Sequence, residues 1–238
     1  MKTTAIIPAL NEARTIADVI AGVKEYCHRV IVVDNMSTDD TADVAEQAGA
    51  TVHRCYVKGT GASTRLGLAY SLNPMPHLRS DIVVTLDGDG QHSPDDIPDF
   101  LRCIEDGCDI VIGARPKTRS DMPFLRWLGN QIFDVLCNVG SHYKIPDPEC
   151  GFRAFTRDVL KIINIETNHF GMCEEVAIKA RAKGYKIGIV PIRAVYGVDL
   201  HKYSFKAQLK RGLEIPCTII KWRWLEEWKP VLKRLLHW

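Results

Sequence analysis

Short apolar segments alternate with amphipathic ones along the first half of the chain. The apolar segments are continuous and rich in β-branched residues, which is typical of strands covered on both faces of a sheet. They lie at residues 5–8, 30–33, 51–53, 82–86 and 110–112. Helical patterns separate them, near residues 13–26, 39–48, 62–72 and 95–106. This alternation predicts an α/β fold with a doubly wound, mostly parallel sheet.

The second half of the chain loses this rhythm. Helices are predicted near residues 122–139 and 174–183, and a strand near residues 186–195. The segment after Ser204 is predicted to be helical. We expect a break in it at Pro230, because proline lacks the backbone N–H that a helix interior requires.

Polar and glycine residues follow the predicted strands. In a doubly wound sheet, ligands bind outside the carboxyl ends of the strands, so the segment after each strand is a candidate for binding. These segments are residues 8–12, 34–35, 56–59, 87–91 and 113–115. The sequence therefore predicts one ligand site at this edge of the sheet.

The fourth strand ends in an acidic loop, Asp87-Gly88-Asp89-Gly90-Gln91. Carboxylates two residues apart in an extended segment point to the same side, and the glycines let the backbone bend closely around a bound group. Adjacent carboxylates repel unless a cation lies between them, and their hard oxygen atoms suit Mg²⁺ or Mn²⁺. A solvated Asp-Gly turn is the alternative, but the position at the end of a buried strand favours a metal site.

Together with this loop, other motifs of the chain resemble a known family. The segments that carry the likeness are Ile7–Glu12, Val33–Asp34, Asp87–Pro94, Gly113–Arg115 and Asp147–Phe155. This ordered set resembles glycosyltransferase family 2, whose fold is GT-A. The nearest likeness is to the dolichyl-phosphate mannose synthase group and its bacterial polyprenyl-phosphate relatives.

The resemblance implies roles for the matching positions. The residues expected to bind the nucleotide sugar are Pro8, Ala9, Asn11, Glu12, Asp34, Lys58, Asp87, Gly88 and Asp89. The expected metal ligands are Asp87, Asp89 and Gln91, and the acceptor phosphate would face Arg115, Arg126 and Lys202. The expected catalytic residues are Asp89, Arg115 and Asp147. A plain surface position is the alternative for Arg126, and the likeness is loose around Lys202.

The implied reaction transfers mannose or glucose from a GDP- or UDP-hexose to a polyprenyl phosphate, with inversion at the anomeric carbon. A phosphate is already anionic near neutral pH, with a second pKa of about 6, so positioning and electrostatics can suffice without a strong base. The alternative is a soluble family 2 enzyme acting on a hydroxyl of a small molecule or polysaccharide, which would require a general base. Asp147 and then His92 are the candidates for that base.

Two interpretations outside this family remain open. A nucleotidyltransferase also places acidic residues at strand ends, but it usually has a glycine-rich, basic loop after its first strand. Residues 8–12 have neither feature. An inactive nucleotide-binding module that recruits partners through the end of the chain is the non-enzymatic alternative.

We expect a catalytic domain at residues 1–200 and a basic helical tail at residues 201–238, with nine Lys or Arg against three Glu. The tail has apolar residues at three- and four-residue steps, at Trp222, Leu225, Trp228, Leu232 and Leu235. Tryptophan together with Lys and Arg is typical of a helix lying in a membrane interface. Packing on the body or on a second subunit is the alternative. Nucleic acid is not an expected partner, because the cations belong to no recognised binding fold.

The eight cysteines are scattered and include no CxxC pair, which argues against a zinc site and favours a reducing compartment. Cys103 and Cys108 are the nearest pair and could meet across a helix end. The sequence shows no secretory leader and no apolar run of about 18–20 residues. The expected location is the cytoplasm, peripheral at the cytosolic face of a membrane.

Overall fold

The computed structural model describes residues 1–72, 75, 79–115, 124–193 and 205–235. The strands are β1 (Thr3–Ala9), β2 (Arg29–Asp34), β3 (Thr51–Arg54), β4 (Ile82–Thr85), β5 (Ile110–Ala114), β6 (Arg153–Thr156) and β7 (Ile187–Pro191). The helices of the body are α1 (Ile16–Lys24), α2 (Thr41–Gln47), α3 (Thr60–Ser71), α4 (Ile97–Glu105), α5 (Phe124–Asn138), α6 (Arg157–Ile162) and α7 (Met172–Ala182). A short 3₁₀ helix at Pro94–Asp96 precedes α4.

The strands form one seven-stranded sheet in the order β3-β2-β1-β4-β6-β5-β7. β6 runs antiparallel to its neighbours β4 and β5, whereas the other pairings are parallel. The predicted doubly wound, mostly parallel α/β sheet is therefore confirmed. The hydrophobic pattern did not predict β6, because this strand is only four residues long and begins with a buried arginine, Arg153.

The strands lie in the core because their side chains are apolar on both faces, as strands with helices on both sides require. Ile6, Ile31, Val84 and Val111 are all fully or almost fully buried. Helix α3 approaches β1 closely at Gly67, where a Cβ atom would lie 2.4 Å from Cγ2 of Ile6. This approach brings the first residues of α3 to the edge of the sheet where the parallel strands end.

The end of the chain forms a nearly continuous helix, made of α8 (Phe205–Trp222), a π-helical segment (Arg223–Trp228) and α9 (Lys229–Leu235). The predicted break at Pro230 is wrong. Pro230 lies inside this helix, and the wider π turn that ends at Trp228 directly precedes it and accommodates the proline ring and the missing N–H. No described helix is long and apolar enough to cross a membrane.

A second apolar cluster joins the tail to α5 and α7. Its buried members are Phe133, Cys137, Ile178, Ile215, Ile219 and Trp222. Next to it, Arg223 donates from Nη1 to the carbonyl of Leu136 at 2.8 Å, and Arg181 donates from Nη2 to the carbonyl of Cys137 at 2.7 Å. Cations are favoured there, because the last carbonyls of a helix have no partner within it. Glu227 accepts from both guanidinium groups, at 2.6 and 2.9 Å.

The structure divides the apolar stripe predicted for the tail. Trp222 is buried against the body, whereas Leu225, Trp228 and Leu232 are exposed, so Trp222 does not share a face with these three. The side chain of Leu235, the fifth residue of the predicted set, lies outside the described part of the chain. The π-helical segment changes the angular spacing of side chains after Trp222, and no sequence period of 3.6 could include that change.

Candidate active site

A cleft of about 560 Å³ lies where β1, β4 and β5 end. Its wall includes residues 8–12, Lys58, residues 85–89, Gln91, His92 and Arg115. A second group of wall residues comes from the second half of the chain, at Glu149, Gly151, His169, Phe170, Met172 and Cys173. All five segments that follow the predicted strands therefore contribute to the lining of one cavity at this edge of the sheet.

The loop after β1 is held against the loop after β2. Asn11 has a φ of 56°, in the left-handed region, and its side-chain oxygen accepts from the N–H of Thr38 at 2.8 Å. The N–H of Asn11 donates to Ser37 Oγ at 2.9 Å, and the N–H of Glu12 donates to Thr41 Oγ1 at 2.8 Å. Because these hydrogen bonds join the segment after β1 to the segment after β2, they fix the side of the cleft that residues 8–12 form.

The acidic loop is tied to its surroundings through its backbone. Asp89 Oδ1 accepts from the N–H of Gln91 at 3.0 Å, and Thr15 Oγ1 donates to the carbonyl of Gly88 at 2.8 Å. Thr85 Oγ1 donates to the carbonyl of Gly151 at 2.8 Å, which places Gly151 beside Asp87. A Cβ atom on Gly151 would lie 3.2 Å from Asp87 Oδ2. The glycine therefore leaves the space that the carboxylate occupies.

The donor atoms of this loop fit a hard divalent cation. Asp87, Asp89 and Gln91 all line the cleft and offer only oxygen ligands besides the amide nitrogen of Gln91. Within the described residues, no group of three or more His, Cys, Asp or Glu side chains could enclose a metal by itself. A protein that supplies one or two carboxylates and leaves the remaining positions to water and substrate phosphates is typical of Mg²⁺ sites.

Arg115 and Asp147 form a bidentate ion pair at the far side of the acidic loop. Arg115 Nε lies 2.6 Å from Asp147 Oδ2, and Nη2 lies 2.8 Å from Oδ1. Burial alone would raise the pKa of Asp147, but the hydrogen bonds and charge of Arg115 outweigh it and hold that pKa below its ordinary value. Asp147 is therefore an ionised carboxylate that orients the guanidinium of Arg115, and Arg115 itself lines the cleft.

His92 is buried beneath the acidic loop and packs against Phe152, with ring centroids 5.4 Å apart. Burial, and then the positive charge of Arg115, lower its pKa from 6.5 to about 4. Its Nδ1 accepts from the N–H of Asp87 at 3.5 Å and lies 3.7 Å from Asp87 Oδ2. Because the imidazole is neutral near neutral pH, the second contact is not an ion pair, and His92 acts as a packed support for Asp87.

Lys58 reaches the cleft from a loop that Asn35 holds in shape. Asn35 Nδ2 donates to the carbonyls of Cys55 and Val57 at 3.1 and 2.8 Å, and its Oδ1 accepts from the N–H of Gly59 at 2.8 Å. Gly59 has a φ of 120°, which favours glycine, and it directly precedes α3. Asn35 therefore connects the end of β2 to the start of α3.

Of the predicted site residues, Asp34 lies outside the lining of the main cleft. Asp34 is buried and accepts from the N–H of Ser37. It lines a smaller depression that shares Met36 with the main cleft. The side chain of Arg126 and the whole of Lys202 lie outside the described part of the chain. The wall at residues 169–173 was not predicted, because no strand ends there and it carries no family motif.

His92 makes the free energy of unfolding depend on pH in a defined window. The unfolded chain binds a proton on this imidazole below about pH 6.5, whereas the folded protein binds it only below about pH 4. The stability contributed by the neutral ring is therefore fully present above pH 6.5 and declines as the pH falls to 4, by up to about 3 kcal/mol. Chemical denaturation at intervals across this range measures the decline.

The variant His92→Gln keeps a hydrogen-bond acceptor but cannot take up this proton, so its stability should fall less between pH 6.5 and 4. His142 is exposed, and His142→Gln should retain the wild-type pH dependence. Identical pH dependence in the wild type and His92→Gln would contradict the assignment.

Comparisons with known proteins show the family and the fold of this chain. The sequence profile described as glycosyl transferase family 2 matches residues 4–163. The chain is 30% identical over 218 residues to the UDP-N-acetylglucosamine–dolichyl-phosphate N-acetylglucosaminyltransferase of Methanococcus voltae, covering 80% of this chain and 84% of that protein. It is also 30% identical over 206 residues to the polyprenol monophosphomannose synthase of Mycolicibacterium smegmatis, covering 80% of this chain and 76% of that protein.

Among solved structures, the chain is similar to glucosyl-3-phosphoglycerate synthase from Mycobacterium tuberculosis, crystallised with Mn²⁺, UDP and phosphoglyceric acid. The TM-score is 0.70 at 22% identity, with 92% of this chain and 78% of that chain covered. This likeness shows the fold, which is the predicted GT-A fold. Profile, relatives and fold lead to one conclusion: the chain belongs to glycosyltransferase family 2.

Proposed function

We propose that this protein transfers a hexose from a nucleotide-diphosphate sugar to a polyprenyl phosphate, with a divalent cation at the acidic loop. The observation that carries the proposal is the placement of two carboxylates, Asp87 and Asp89, and the oriented guanidinium of Arg115 around a single cleft. The names of the M. voltae and M. smegmatis relatives support a lipid-linked acceptor.

Asp87, Asp89 and Gln91 would hold Mg²⁺ or Mn²⁺. A bound cation would neutralise the negative charge that grows on the departing nucleoside diphosphate. The hydrogen bond from the N–H of Gln91 to Asp89 and the space left by Gly151 prepare the two carboxylates for this task. His92 supports Asp87 from below without competing for the cation, because its Nδ1 is occupied by a backbone N–H.

The nucleotide sugar would lie along the wall formed by Pro8, Ala9, Asn11, Glu12 and Gly88. Lys58 suits the phosphates, since a lysine ammonium attracts anions. Asp34 lies in the adjoining depression, which suits a base or ribose beyond the main cleft. A carboxylate accepts hydrogen bonds from uracil and guanine alike, so both UDP- and GDP-hexoses remain donor candidates.

Arg115 would face the acceptor phosphate, with Asp147 as its positioning residue and Arg126 and Lys202 as proposed further contacts. A phosphate oxygen would attack the anomeric carbon while the bond to the diphosphate breaks, which inverts the configuration. A hydroxyl acceptor would need a general base instead. The two candidates for that base do not fit the task, because Asp147 is paired with Arg115 and the buried imidazole of His92 has a lowered pKa.

The proposed location is peripheral, on an anionic bilayer at the cytosolic side of a membrane. The tail presents an outward face made of Leu213, Ile220, Trp224, Trp228 and Val231, all of them exposed. Lys221, Lys229 and Lys233 are exposed beside it. Indole rings at headgroup depth with adjacent lysines match an anionic lipid surface, and a lipid phosphate acceptor is presented at such a surface.

The metal site is tested by thermal shift with UDP, GDP and their hexose derivatives, with and without Mn²⁺. We expect at least one nucleotide to stabilise the wild type, and more strongly with the metal. Asp89→Asn should lose the metal-dependent part and reduce sugar transfer by about 100-fold or more, because charge on the leaving group would no longer be neutralised.

Asp99→Asn is the matched control, since Asp99 is an exposed carboxylate on α4 that pairs with Arg102 outside the cleft. It should behave as the wild type in both assays. Equal metal-dependent stabilisation of Asp89→Asn and the wild type would show that the acidic loop is not the metal site.

The outward face is tested by sedimentation with vesicles of phosphatidylcholine alone and with added phosphatidylglycerol. Wild-type protein should bind the anionic vesicles in a salt-sensitive manner. The affinity of the double variant Trp224→Ser, Trp228→Ser for these vesicles should be lower by about tenfold or more. Ile162→Ser, which removes an exposed apolar side chain on α6, should bind as the wild type does. The lipid proposal would be contradicted if the wild type were a dimer that binds no vesicles and the double variant were a monomer. That result would instead identify the outward face as a subunit interface.

A further inference from the structure

The position of one wall of the cleft is set by a loop that lies outside the family motifs. This loop, residues 164–168, lies between α6 and α7, and the cleft residues His169 and Phe170 follow it directly. The position of the loop therefore determines where these two residues of the cleft wall lie. Two buried side chains of α7 and one of the tail determine where it lies.

Glu175 and Lys179 hold the 164–168 loop from inside the protein. The carboxylate of Glu175 is fully buried and accepts from two consecutive backbone N–H groups, those of Glu166 at 2.8 Å and Thr167 at 2.7 Å. Lys179 Nζ donates to the carbonyl of Asn164 at 2.5 Å and to Glu175 Oε1 at 2.7 Å. A buried ion pair is strongly sensitive to the loss of either partner, so this pair fixes the loop closely.

The other side of the loop contacts the start of α3, which also lines the cleft. The carbonyl of Asn168 accepts from the N–H of Ala62 at 3.0 Å, and Arg65 Nη2 donates to Asn168 Oδ1 at 2.7 Å. A Cβ atom on Gly59 would lie 2.1 Å from the carbonyl oxygen of Asn168, and one on Gly61 would lie 2.2 Å from that of Thr167. The two backbones are therefore so close that a shift of the loop must move the start of α3.

The tail closes this arrangement from outside. The ring of Trp222 is buried, and Lys179 Nζ lies 3.7 Å from its centroid, within cation–π distance. Ile215 and Ile219 pack beside it in the second apolar cluster. Trp222 thus shields the Glu175–Lys179 pair from water, which strengthens the electrostatic attraction between its charges.

We propose that Glu175, Lys179 and Trp222 are positioning residues for the nucleotide-sugar side of the cleft, through which the tail sets donor affinity. The inference rests on the proposed function, because it assumes that the cleft binds a nucleotide donor. Lys58, Gly59 and the first turn of α3 lie on the affected wall, whereas Asp89 and Arg115 belong to other elements. Disturbing the pair should therefore raise the KM for the donor and leave kcat nearly unchanged.

The test compares Lys179→Met with Lys183→Met. Both variants remove one lysine charge from the end of α7 and keep an unbranched side chain, but Lys183 is exposed. In Lys179→Met we expect the Kd for the nucleoside diphosphate and the KM for the donor to rise about five- to tenfold, with kcat within about twofold. Lys183→Met should match the wild type. Circular dichroism and thermal unfolding verify that each variant is folded.

Trp222→Phe is the milder variant, which keeps a smaller ring over Lys179. It tests the same inference if Lys179→Met does not fold. Its donor KM should rise by about two- to threefold. Folded Lys179→Met with wild-type nucleotide affinity, or Trp222→Phe with wild-type donor KM in the absence of a folded Lys179→Met, would overturn the inference. A wild-type protein that binds none of the nucleotides would instead contradict the proposed function, so the two failures are distinguishable.

Discussion

The reversed direction of β6 is the constraint on which the site depends. β6 lies between β4 and β5 and runs antiparallel to both, so that Arg153 is opposite Thr85 on one side and Ile112 on the other. The residues that precede β6 therefore meet the residues that follow β4 and β5. This is how Asp147 comes to pair with Arg115, and how Gly151 comes to lie beside Asp87. A fully parallel sheet would place that segment at the opposite edge.

Buried charge keeps this meeting point in place. Arg153 is almost fully buried and donates from Nε to the carbonyl of Cys150 at 2.8 Å and from Nη2 to the carbonyl of Pro148 at 2.7 Å. An ion buried in this way is costly unless polar partners replace its hydration. The loop before β6 supplies partners for Nε and Nη2, whereas the buried Nη1 has none among the described residues, so the position of Arg153 depends on the shape of this loop. The Glu175–Lys179 pair has the same relation to the 164–168 loop.

The parts of this molecule that sequence could predict are those fixed by local pattern. β1, β2, β4 and β5 are continuous apolar runs, and each was predicted within a few residues because strands buried on both faces need that composition. The position of the acidic loop at the cleft was predictable because the loop follows such a strand. The pairing of Asp147 with Arg115 was not, since it follows from the direction of β6, a strand that the hydrophobic pattern did not indicate.

The remaining differences also have non-local causes. Residues 169–173 line the cleft only because buried contacts of α7 hold the preceding loop in place, and no spacing along the chain shows that. Trp222 was grouped with Leu225 and Trp228 by a regular helical period. The π-helical segment begins directly after Trp222 and contains Leu225 and Trp228, so the regular period does not hold there, and Trp222 is buried while the other two are exposed. The family motifs could assign roles to Asp87 and Asp89, yet the support that His92 gives from beneath required the three-dimensional arrangement.

We propose that the cleft joins a sugar donor to a phosphate acceptor that needs no enzyme base. The most direct measurement incubates the wild type with Mn²⁺ and a panel of UDP- and GDP-hexoses, together with either a polyprenyl phosphate or the polyprenol of the same chain length. Mass spectrometry and NMR of the lipid fraction identify the product and its anomeric configuration. We expect a glycosyl phosphate of inverted configuration with the phosphorylated lipid and no product with the alcohol. Glycosylation of the polyprenol, with the polyprenyl phosphate left unreacted, would contradict it.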